Sequence, residues 1–269
     1  MSLTGKTNLQ NVCLLLAAER SGTHFLRSML ANVPSVVTSS EVCNPQAGDI
    51  RTAPTSFLKF RANSCIAEEK YFYATFPVQT GLLDNYLNLV RFSNQKRSHI
   101  ILDVKYSHVH NFHPAWWEIV NRPFLIEYAI ERGIKIIHLV REKPYRTVIS
   151  NMYGQETGVW HARSIDQVVR AKMTIDRGLL KEKAIRLAKT IRLFEGWLTQ
   201  SNSVAISYED LVDKTDCVLD RLREFLGLTI NIPTQTNFVR STPPYDQIIN
   251  NFYEISDLID VGRKELSAQ

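Results

Sequence analysis

Residues 19–24, with the sequence ERSGTH, have the composition of an anion-binding turn. The apolar residues 12–18 lead directly into them, and apolar residues then return at helical spacing, which predicts a strand, a tight turn and a helix. The first amides of such a helix lack partners within it and lie at the positive end of its dipole, so they attract anions. The guanidinium of Arg20 and the hydroxyls of Ser21 and Thr23 would add donors that suit phosphate or sulfate oxygens. The alternative is an ordinary strand-to-helix turn of an α/β domain.

The turn lacks two features of a nucleoside triphosphate loop. Such a loop reads G-x-x-x-x-G-K-[ST], where the lysine reaches the outer phosphates and the last hydroxyl binds magnesium. Between Arg20 and Thr23 this chain has neither the second glycine nor the lysine. We therefore expect the turn to hold one anionic group rather than a triphosphate with its metal.

A lysine ends the next predicted strand, residues 100–105. Lys105 stands where a buried strand stops, which is an unusual place for a lysine unless it meets an anion. His108, His110 and His113 follow, and because residues two apart on an extended segment share a face, a metal site is an alternative. Neither a carboxylate nor a cysteine flanks these histidines, so we expect no metal.

An arginine and a serine follow a third strand. Residues 134–140 predict a buried strand that leads directly into Arg141, and Pro144 lies near the start of a helix that carries Ser150. The two side chains can converge on one anion from two elements. A surface ion pair is the alternative for Arg141 alone.

Two more predicted strands end in polar side chains. Glu41 follows residues 35–38, and Tyr208 follows residues 204–207. A carboxylate just past a strand of a parallel sheet lies toward the side where ligands bind. The alternatives are a solvated loop glutamate and a half-buried aromatic residue.

The remaining patterns predict helices. Apolar spacing over residues 165–198 predicts a helical pair or one kinked helix, with the break at Gly178. Thr215 is expected to cap an amphipathic helix that ends at Gly227, and a last amphipathic helix is expected over residues 248–258.

In their order along the chain, these stretches resemble the sulfotransferases that use 3'-phosphoadenosine 5'-phosphosulfate. Residues 20–23 match the 5'-phosphosulfate loop of that family, [KR]-S-G-[ST]-[ST], and His24 departs from it. Lys105 and His108 fit the K-x-x-H sequence that the family has at a strand end.

The second half of the chain is similar to the bacterial carbohydrate branch of the family. Arg141 and Ser150 have the spacing of the 3'-phosphate motif in that branch. Residues 155–161, QETGVWH, resemble a stretch of lipopolysaccharide and nodulation-factor sulfotransferases, and residues 208–211, YEDL, begin a further segment that recurs in the family.

The resemblance implies which residues act in catalysis. Arg20 and Lys105 would stabilise the departing phosphosulfate. The general base would be Glu41, as proposed in trehalose-type bacterial enzymes, or His108, as in the cytosolic enzymes, and we slightly favour Glu41. The residues implied in binding the donor nucleotide are Arg20, Ser21, Gly22, Thr23, His24, Phe25, Arg141, Ser150, Tyr208 and Arg240.

Length and composition fit one α/β domain. The chain has 269 residues, of which 44% are hydrophobic and 22% charged, so we expect a single domain over residues 1–269. The resemblance implies a P-loop-type parallel β-sheet flanked by helices, with residues 46–98 as an acceptor-site insertion. A net charge of +5 suits an anionic ligand but is too mild to indicate nucleic acid.

Cysteine spacing and hydropathy bear on the location. Four cysteines without close spacing are typical of reduced thiols in a cytoplasmic protein. No apolar run approaches the roughly 20 residues that cross a bilayer, which leaves peripheral membrane contact open.

The expected function is transfer of a sulfuryl group from 3'-phosphoadenosine 5'-phosphosulfate to a hydroxyl of a carbohydrate or glycolipid, without a metal. The alternatives are a P-loop kinase of small molecules and a non-catalytic module that binds polyanions.

Overall fold

A parallel sheet forms the centre of the protein. The structure is a computed structural model that describes residues 9, 11–44, 56–118, 120–162, 164–236 and 242–266. Within them one five-stranded parallel sheet has the order β2-β3-β1-β4-β5. Its strands are β1 (Val12–Ala17), β2 (Val36–Glu41), β3 (His99–Lys105), β4 (Lys135–Val140) and β5 (Ser203–Ser207). The predicted parallel sheet is confirmed.

Helices follow the strands and cover both faces of the sheet. They are α1 (Thr23–Leu30), α2 (Phe57–Ala67), α3 (Phe76–Ser93), α4 (Phe124–Glu131), α5 (Pro144–Thr157), α6 (Arg177–Leu198), α7 (Tyr208–Asp213), α8 (Thr215–Leu226), α9 (Tyr245–Ile248), α10 (Phe252–Ile255) and α11 (Arg263–Leu266). Short 3-10 helices cover Glu69–Tyr71, Tyr106–Phe112 and Ile165–Gln167.

The central strand β1 is buried along its whole length. Because successive side chains of a strand point to opposite faces, Leu14 and Leu16 pack on one side and Leu15 and Ala17 on the other. The first side holds residues of α3, α4 and α6, and the second holds residues of α1 and α8. A continuous apolar run is what a strand covered on both faces requires.

The sheet brings the predicted site residues to one edge. Ala17, the last residue of β1, pairs with Lys105 of β3 and with Leu139 of β4. Parallel strands end at the same edge, so the segments that follow β1, β3 and β4 lie side by side. Glu41 is the last residue of β2, and Tyr208 comes directly after β5.

The helical pair predicted over residues 165–198 is wrong in its first half. Only the 3-10 turn at Ile165–Gln167 precedes α6, which begins at Arg177 and is capped by the side chain of Asp176. Gly178 therefore lies in the first turn of α6 and breaks no helix. Backbone pairing explains the extended segment, since the Met173 N–H donates to Ile248 O at 2.8 Å.

The same pairing explains a second error. In place of the amphipathic helix predicted over residues 248–258, the chain has the two single turns α9 and α10. The N–H of Asn250 donates to Met173 O at 2.9 Å, and the N–H of Ile175 donates to the side chain of Asn251 at 3.0 Å. These bonds hold residues 249–251 outside a helix.

The predicted helix before Gly227 is confirmed, with a different cap. α8 ends at Leu226 and is capped by Gly227, which has the left-handed φ of +78°. Thr215 is the first helical residue rather than the cap, which is Lys214. The Thr215 hydroxyl instead donates to Leu211 O at 2.9 Å.

Candidate active site

The turn after β1 is built around a glycine. Gly22 has a φ of +90° and precedes α1, whose Leu26 N–H donates to Gly22 O at 3.1 Å. A Cβ at Gly22 would lie 2.4 Å from Cδ2 of Tyr208. Both the backbone angle and the close ring therefore require glycine. The predicted strand, turn and helix are confirmed, and the ring of Tyr208 lies against the turn.

Arg20 connects the turn to α5. Its Nε donates to the hydroxyl of Ser150 at 3.0 Å, and its Nη1 donates to the carbonyl oxygen of Trp160. The guanidinium carbon also lies 5.9 Å from the centre of the Trp160 ring. The Ser150 hydroxyl lies a further 3.0 Å from that of Thr242. Arg20 and Ser150, predicted separately, are thus in direct contact.

Arg141 lies beside Arg20. Its Nη1 donates to the carbonyl oxygen of Arg20 at 3.2 Å, and its guanidinium carbon lies 4.9 Å from the centre of the Tyr208 ring. Only 8% of Arg141 is exposed, and its Nε is buried without a partner. In the part of the chain that is described, no carboxylate pairs with it. Burial, followed by the charge of Arg141, lowers the pKa of Arg20. A buried cation, Arg141, beside a half-buried one, Arg20, makes this a favourable place for an anion.

Lys105 lies among acidic and polar groups at the end of β3. Its ammonium donates to the Thr23 hydroxyl and to the Asp103 carboxylate, both at 2.6 Å. Glu41 Oε1 lies 3.7 Å from the same nitrogen. Arg27 contacts the second oxygen of Asp103 at 3.2 Å. The predicted lysine and glutamate are brought together, and α1 contributes through Thr23.

The two candidate bases differ in their surroundings. Glu41 lies near Lys105, and its side chain is 26% exposed. His108 lies in the 3-10 helix Tyr106–Phe112, and its Nδ1 is buried without a partner among the described residues. The Glu41 carboxylate therefore lies within ion-pair distance of the Lys105 ammonium.

Two histidines stack at the same site. The rings of His24 and His161 lie 3.6 Å apart, centre to centre, with an angle of 32° between their planes. Burial, followed by the charges of His161 and Arg27, lowers the pKa of His24 to about 3. Burial, followed by the charges of Arg20 and Lys105, lowers the pKa of His161 to about 4. Both imidazoles are therefore neutral near pH 7.

Three other residues predicted to bind the nucleotide do not appear among the contacts described above. Ser21 is only 2% exposed and lies inside the turn. Phe25 is half-buried and packs against the apolar cluster beneath β1, so its contact with a nucleotide stays a prediction. Arg240 lies outside the described residues.

Several residues of this site had no predicted role. Asp103 was hidden in an apolar strand, although its spacing of two from Lys105 puts both side chains on one face. Trp160 and His161 belonged to the stretch QETGVWH but were not assigned to the site. Trp160 also packs on α5, where a Cβ at Gly154 would lie 2.8 Å from its ring.

The described residues contain neither a cluster of metal ligands nor a membrane-spanning helix. No group of three or more His, Cys, Asp or Glu side chains could hold a metal ion there. No helix in the same residues has the length and apolar character that crossing a bilayer requires.

The chain is similar to several solved structures at low sequence identity. The sulfotransferase domain of the curacin biosynthetic pathway is 17% identical, with 85% of this chain and 77% of that chain covered and a TM-score of 0.48. The sulfotransferase domain of the Synechococcus PCC 7002 olefin synthase is 16% identical, with 90% and 82% covered and a TM-score of 0.46. Mouse sulfotransferase SULT7A1 complexed with PAP is 13% identical, with 82% and 60% covered and a TM-score of 0.44.

The family is established from the sequence itself. No curated protein is similar enough to count as a match. The family model described as "Sulfotransferase family" matches residues 14–231, a range that contains the turn, Lys105, Arg141, Ser150 and Tyr208. The expectation of a sulfotransferase enzyme is confirmed, and the chain belongs to the sulfotransferase family.

Proposed function

We propose that this sulfotransferase moves a sulfuryl group from 3'-phosphoadenosine 5'-phosphosulfate to a hydroxyl of a carbohydrate or glycolipid. The contact between Arg20 and Arg141 carries the proposal. The Arg141 guanidinium, at the end of β4, donates to the backbone carbonyl oxygen of Arg20, which follows β1. The two arginines therefore lie beside a turn in which a glycine leaves room for the ring of Tyr208. A nucleotide with phosphate groups at both ends of its ribose suits two neighbouring cations and an aromatic ring.

The residues present fit such a donor. The Nε of Arg141 is buried without a partner, and the Ser150 hydroxyl lies within reach of Arg20. A buried guanidinium with a free donor and no carboxylate among the described residues is costly unless an anion pairs with it. A phosphate at this place would supply that anion.

Sulfuryl transfer forms one S–O bond and breaks another. The acceptor oxygen bonds to sulfur, and the bond from sulfur to the 5'-phosphate oxygen breaks, with its electron pair kept by the departing nucleotide. Negative charge therefore grows on that phosphate. Arg20, Lys105 and the first amides of α1 would stabilise this charge, and fixed donors of this kind usually make the largest contribution to catalysis.

A base must accept the proton of the attacking hydroxyl. Glu41 and His108 remain the two candidates, and the 3.7 Å contact of Glu41 with Lys105 supports Glu41. In the absence of donor, the carboxylates of Asp103 and Glu41 neutralise the charge of the Lys105 ammonium. When the ammonium pairs instead with the phosphate of the leaving group, its contact with Glu41 would weaken, and the Glu41 carboxylate could then accept the proton.

The proposal also includes the class of acceptor and the cellular location. A carbohydrate or glycolipid acceptor is proposed because the sequence resembles the bacterial carbohydrate branch of the family. A cytoplasmic location is proposed because all four cysteines are free. Contact with a membrane surface would be peripheral. Residues 46–98, of which 46–55 lie outside the described residues, stay a proposed acceptor insertion that would contact the part of the acceptor away from the reacting hydroxyl. We propose no nucleic acid partner.

A binding experiment tests the donor. Thermal-shift titrations with 3'-phosphoadenosine 5'-phosphate (PAP), ADP with magnesium, and inorganic sulfate should show stabilisation by PAP at the lowest concentration. Equal responses to PAP and sulfate would favour a polyanion-binding module. A response to ADP that needs magnesium would favour a kinase.

A further inference from the structure

A pocket of about 220 Å³ lies beside the candidate active site. It is bounded by the end of β1, by one face of α5 and by α6. The residues that line it are Ala18, Glu19, Thr147, Val148, Asn151, Met152, Gln155, Lys183 and Leu187. Pockets for drug-sized molecules enclose about 300–1,000 Å³, so this one suits a smaller group.

Several polar side chains that line the pocket have no hydrogen-bond partner among the described residues. Thr147 is only 3% exposed, and its hydroxyl is buried with no partner among the described residues. Buried hydroxyls almost always have a partner, so this one needs an explanation. In the same part of the chain, no hydrogen bond or ion pair engages the side chains of Asn151, Gln155 or Lys183. A ligand in the pocket would satisfy several of these groups.

The pocket adjoins the candidate active site at three points. Glu19 directly precedes Arg20, and Asn151 directly follows Ser150. The hydroxyl of Ser107, two residues after Lys105, donates to the Glu19 carboxylate. A molecule in the pocket would thus lie next to the groups proposed to hold the phosphosulfate.

The lining determines which chemical class fits. Glu19 and Lys183 carry opposite charges, so the pocket has no net charge and gives no advantage to an anionic molecule. The amides of Asn151 and Gln155 can both donate and accept hydrogen bonds. Apolar side chains, among them Met152, form the rest of the wall. A ligand that suits this lining has a ring with hydroxyl groups at its edge, which the amides can bind, and apolar faces, which the apolar wall can contact.

We propose that this pocket holds the acceptor, and that the acceptor presents one uncharged, hydroxyl-rich ring, as a neutral saccharide does. The inference rests on the proposed function, because it supplies the second substrate of the same reaction. Thr147, Asn151 and Lys183 are specificity-determining residues in this proposal, and the donor is bound elsewhere by Arg20 and Arg141.

Ligand-observed NMR tests the class of molecule. Saturation-transfer spectra would be recorded on the full chain, saturated with PAP, with three probes: methyl glucopyranoside, its uronic acid analogue and 4-nitrophenol. We expect saturation transfer to the neutral glycoside and less to the other two. Stronger transfer to the acid or the phenol, or none to the glycoside, overturns the proposal.

Variants locate the binding. Thr147→Val keeps the shape of the side chain and removes the hydroxyl, so we expect about tenfold weaker binding of the glycoside. Lys183→Met should weaken it as well, whereas Lys189→Met, on the exposed face of the same helix, should not. Unchanged glycoside binding in both pocket variants overturns the assignment of the pocket.

The affinity for PAP distinguishes failure of the acceptor-pocket proposal from failure of the proposed function. Both pocket variants should bind PAP as the unaltered protein does. If PAP binds and no glycoside does, the pocket proposal fails while the proposed donor stands. If PAP itself does not bind, the proposed function fails.

Discussion

The ammonium of Lys105 lies 2.6 Å from the carboxylate of Asp103, and both side chains are buried at the end of β3. The two residues are separated by one position, so the strand geometry places both on one face. Asp103 also contacts Arg27 of α1 at 3.2 Å. One buried carboxylate thus holds two cations in the candidate active site.

Replacement of this carboxylate should destabilise the protein. Asp103→Asn leaves Lys105 and Arg27 without their shared anion, and breaking a buried ion pair costs about 3 kcal/mol or more. For a protein of this size we expect Tm to fall by roughly 6 °C or more in a thermal melt. Asp260→Asn, which breaks surface pairs with Lys143 and Arg146, is the control, with an expected loss of about 0–1 kcal/mol for each exposed pair. Equal Tm values for the two variants would show that the buried pair contributes little.

The turn should not tolerate a larger residue than glycine. Gly22→Ala places a methyl group against Tyr208 in a backbone conformation with a φ of +90°. We expect a loss of about 1–3 kcal/mol in stability together with loss of PAP binding in calorimetry. Gly81→Ala in α3 meets no atom within 4 Å and should change neither property for the worse. PAP affinity that survives in Gly22→Ala would remove the turn from the donor site.

Loss of the Arg141 guanidinium should weaken nucleotide binding specifically. Arg141→Ala removes a buried cation that would pair with a phosphate, and hydrogen bonds to charged groups contribute about 1.5–3 kcal/mol. We expect PAP affinity to fall between tenfold and a few hundredfold in calorimetry, with α5 still folded. Arg186→Ala on the surface of α6, which breaks a pair with Glu182, serves as the control and should leave affinity unchanged. An unchanged affinity in Arg141→Ala contradicts the two-arginine site.

Exchange of the base should affect turnover and spare binding. Glu41→Gln and His108→Asn would each be assayed for transfer from labelled donor and for PAP affinity. Loss of the base lowers kcat by about a hundred- to ten-thousand-fold, since that is the usual contribution of a positioned base. The variant that loses turnover while PAP affinity persists identifies the base. Full turnover in both variants would exclude both residues.

Acid should destabilise the protein before its carboxylates titrate. Burial lowers the pKa of His161 and of His138 to about 4, and that of His24 to about 3. These imidazoles take up protons near pH 6.5 in the unfolded chain. Between those pH values the unfolded state binds more protons, so stability is full above pH 6.5 and falls as pH decreases toward 4. Thermal melts from pH 7.5 to 4.5 should show this decrease.

Bound nucleotide should reduce the acid sensitivity. A phosphate near Arg20 offsets the positive charges that help to lower the pKa of His161. PAP should therefore bind with proton uptake near pH 5, which calorimetry in buffers of different ionisation enthalpy measures. A His161→Gln variant should take up fewer protons. Proton uptake that stays the same in this variant would place the nucleotide away from the histidine pair.

The sequence predicted the local part of the site and missed the part made by distant contacts. Arg20 and Arg141 follow apolar strands and Lys105 ends one, and such apolar runs are recognisable in a single sequence. The ring of Tyr208 against Gly22 joins segments far apart in the chain, and nothing in either segment indicates the other. His161 was likewise unassigned because only folding stacks it on His24.

The errors in secondary structure have the same origin. Residues 165–176 and 248–258 have apolar residues at a spacing that suits a helix. The segments pair with each other through Met173 and Ile249, so both are extended where they meet. Tertiary hydrogen bonds therefore override the local pattern.

The parallel order of the strands has a consequence for cooperativity. Glu41, Lys105, Arg141 and Tyr208 stand at four separate strand ends, and β1 leads into the turn. No fragment that lacks one of these strands can assemble the whole set. A bound nucleotide would contact residues from several strands at once and so link the strands noncovalently. Its free energy of binding would then add to the global free energy of unfolding. Amide exchange should then slow in all five strands when PAP is added, including the outermost ones.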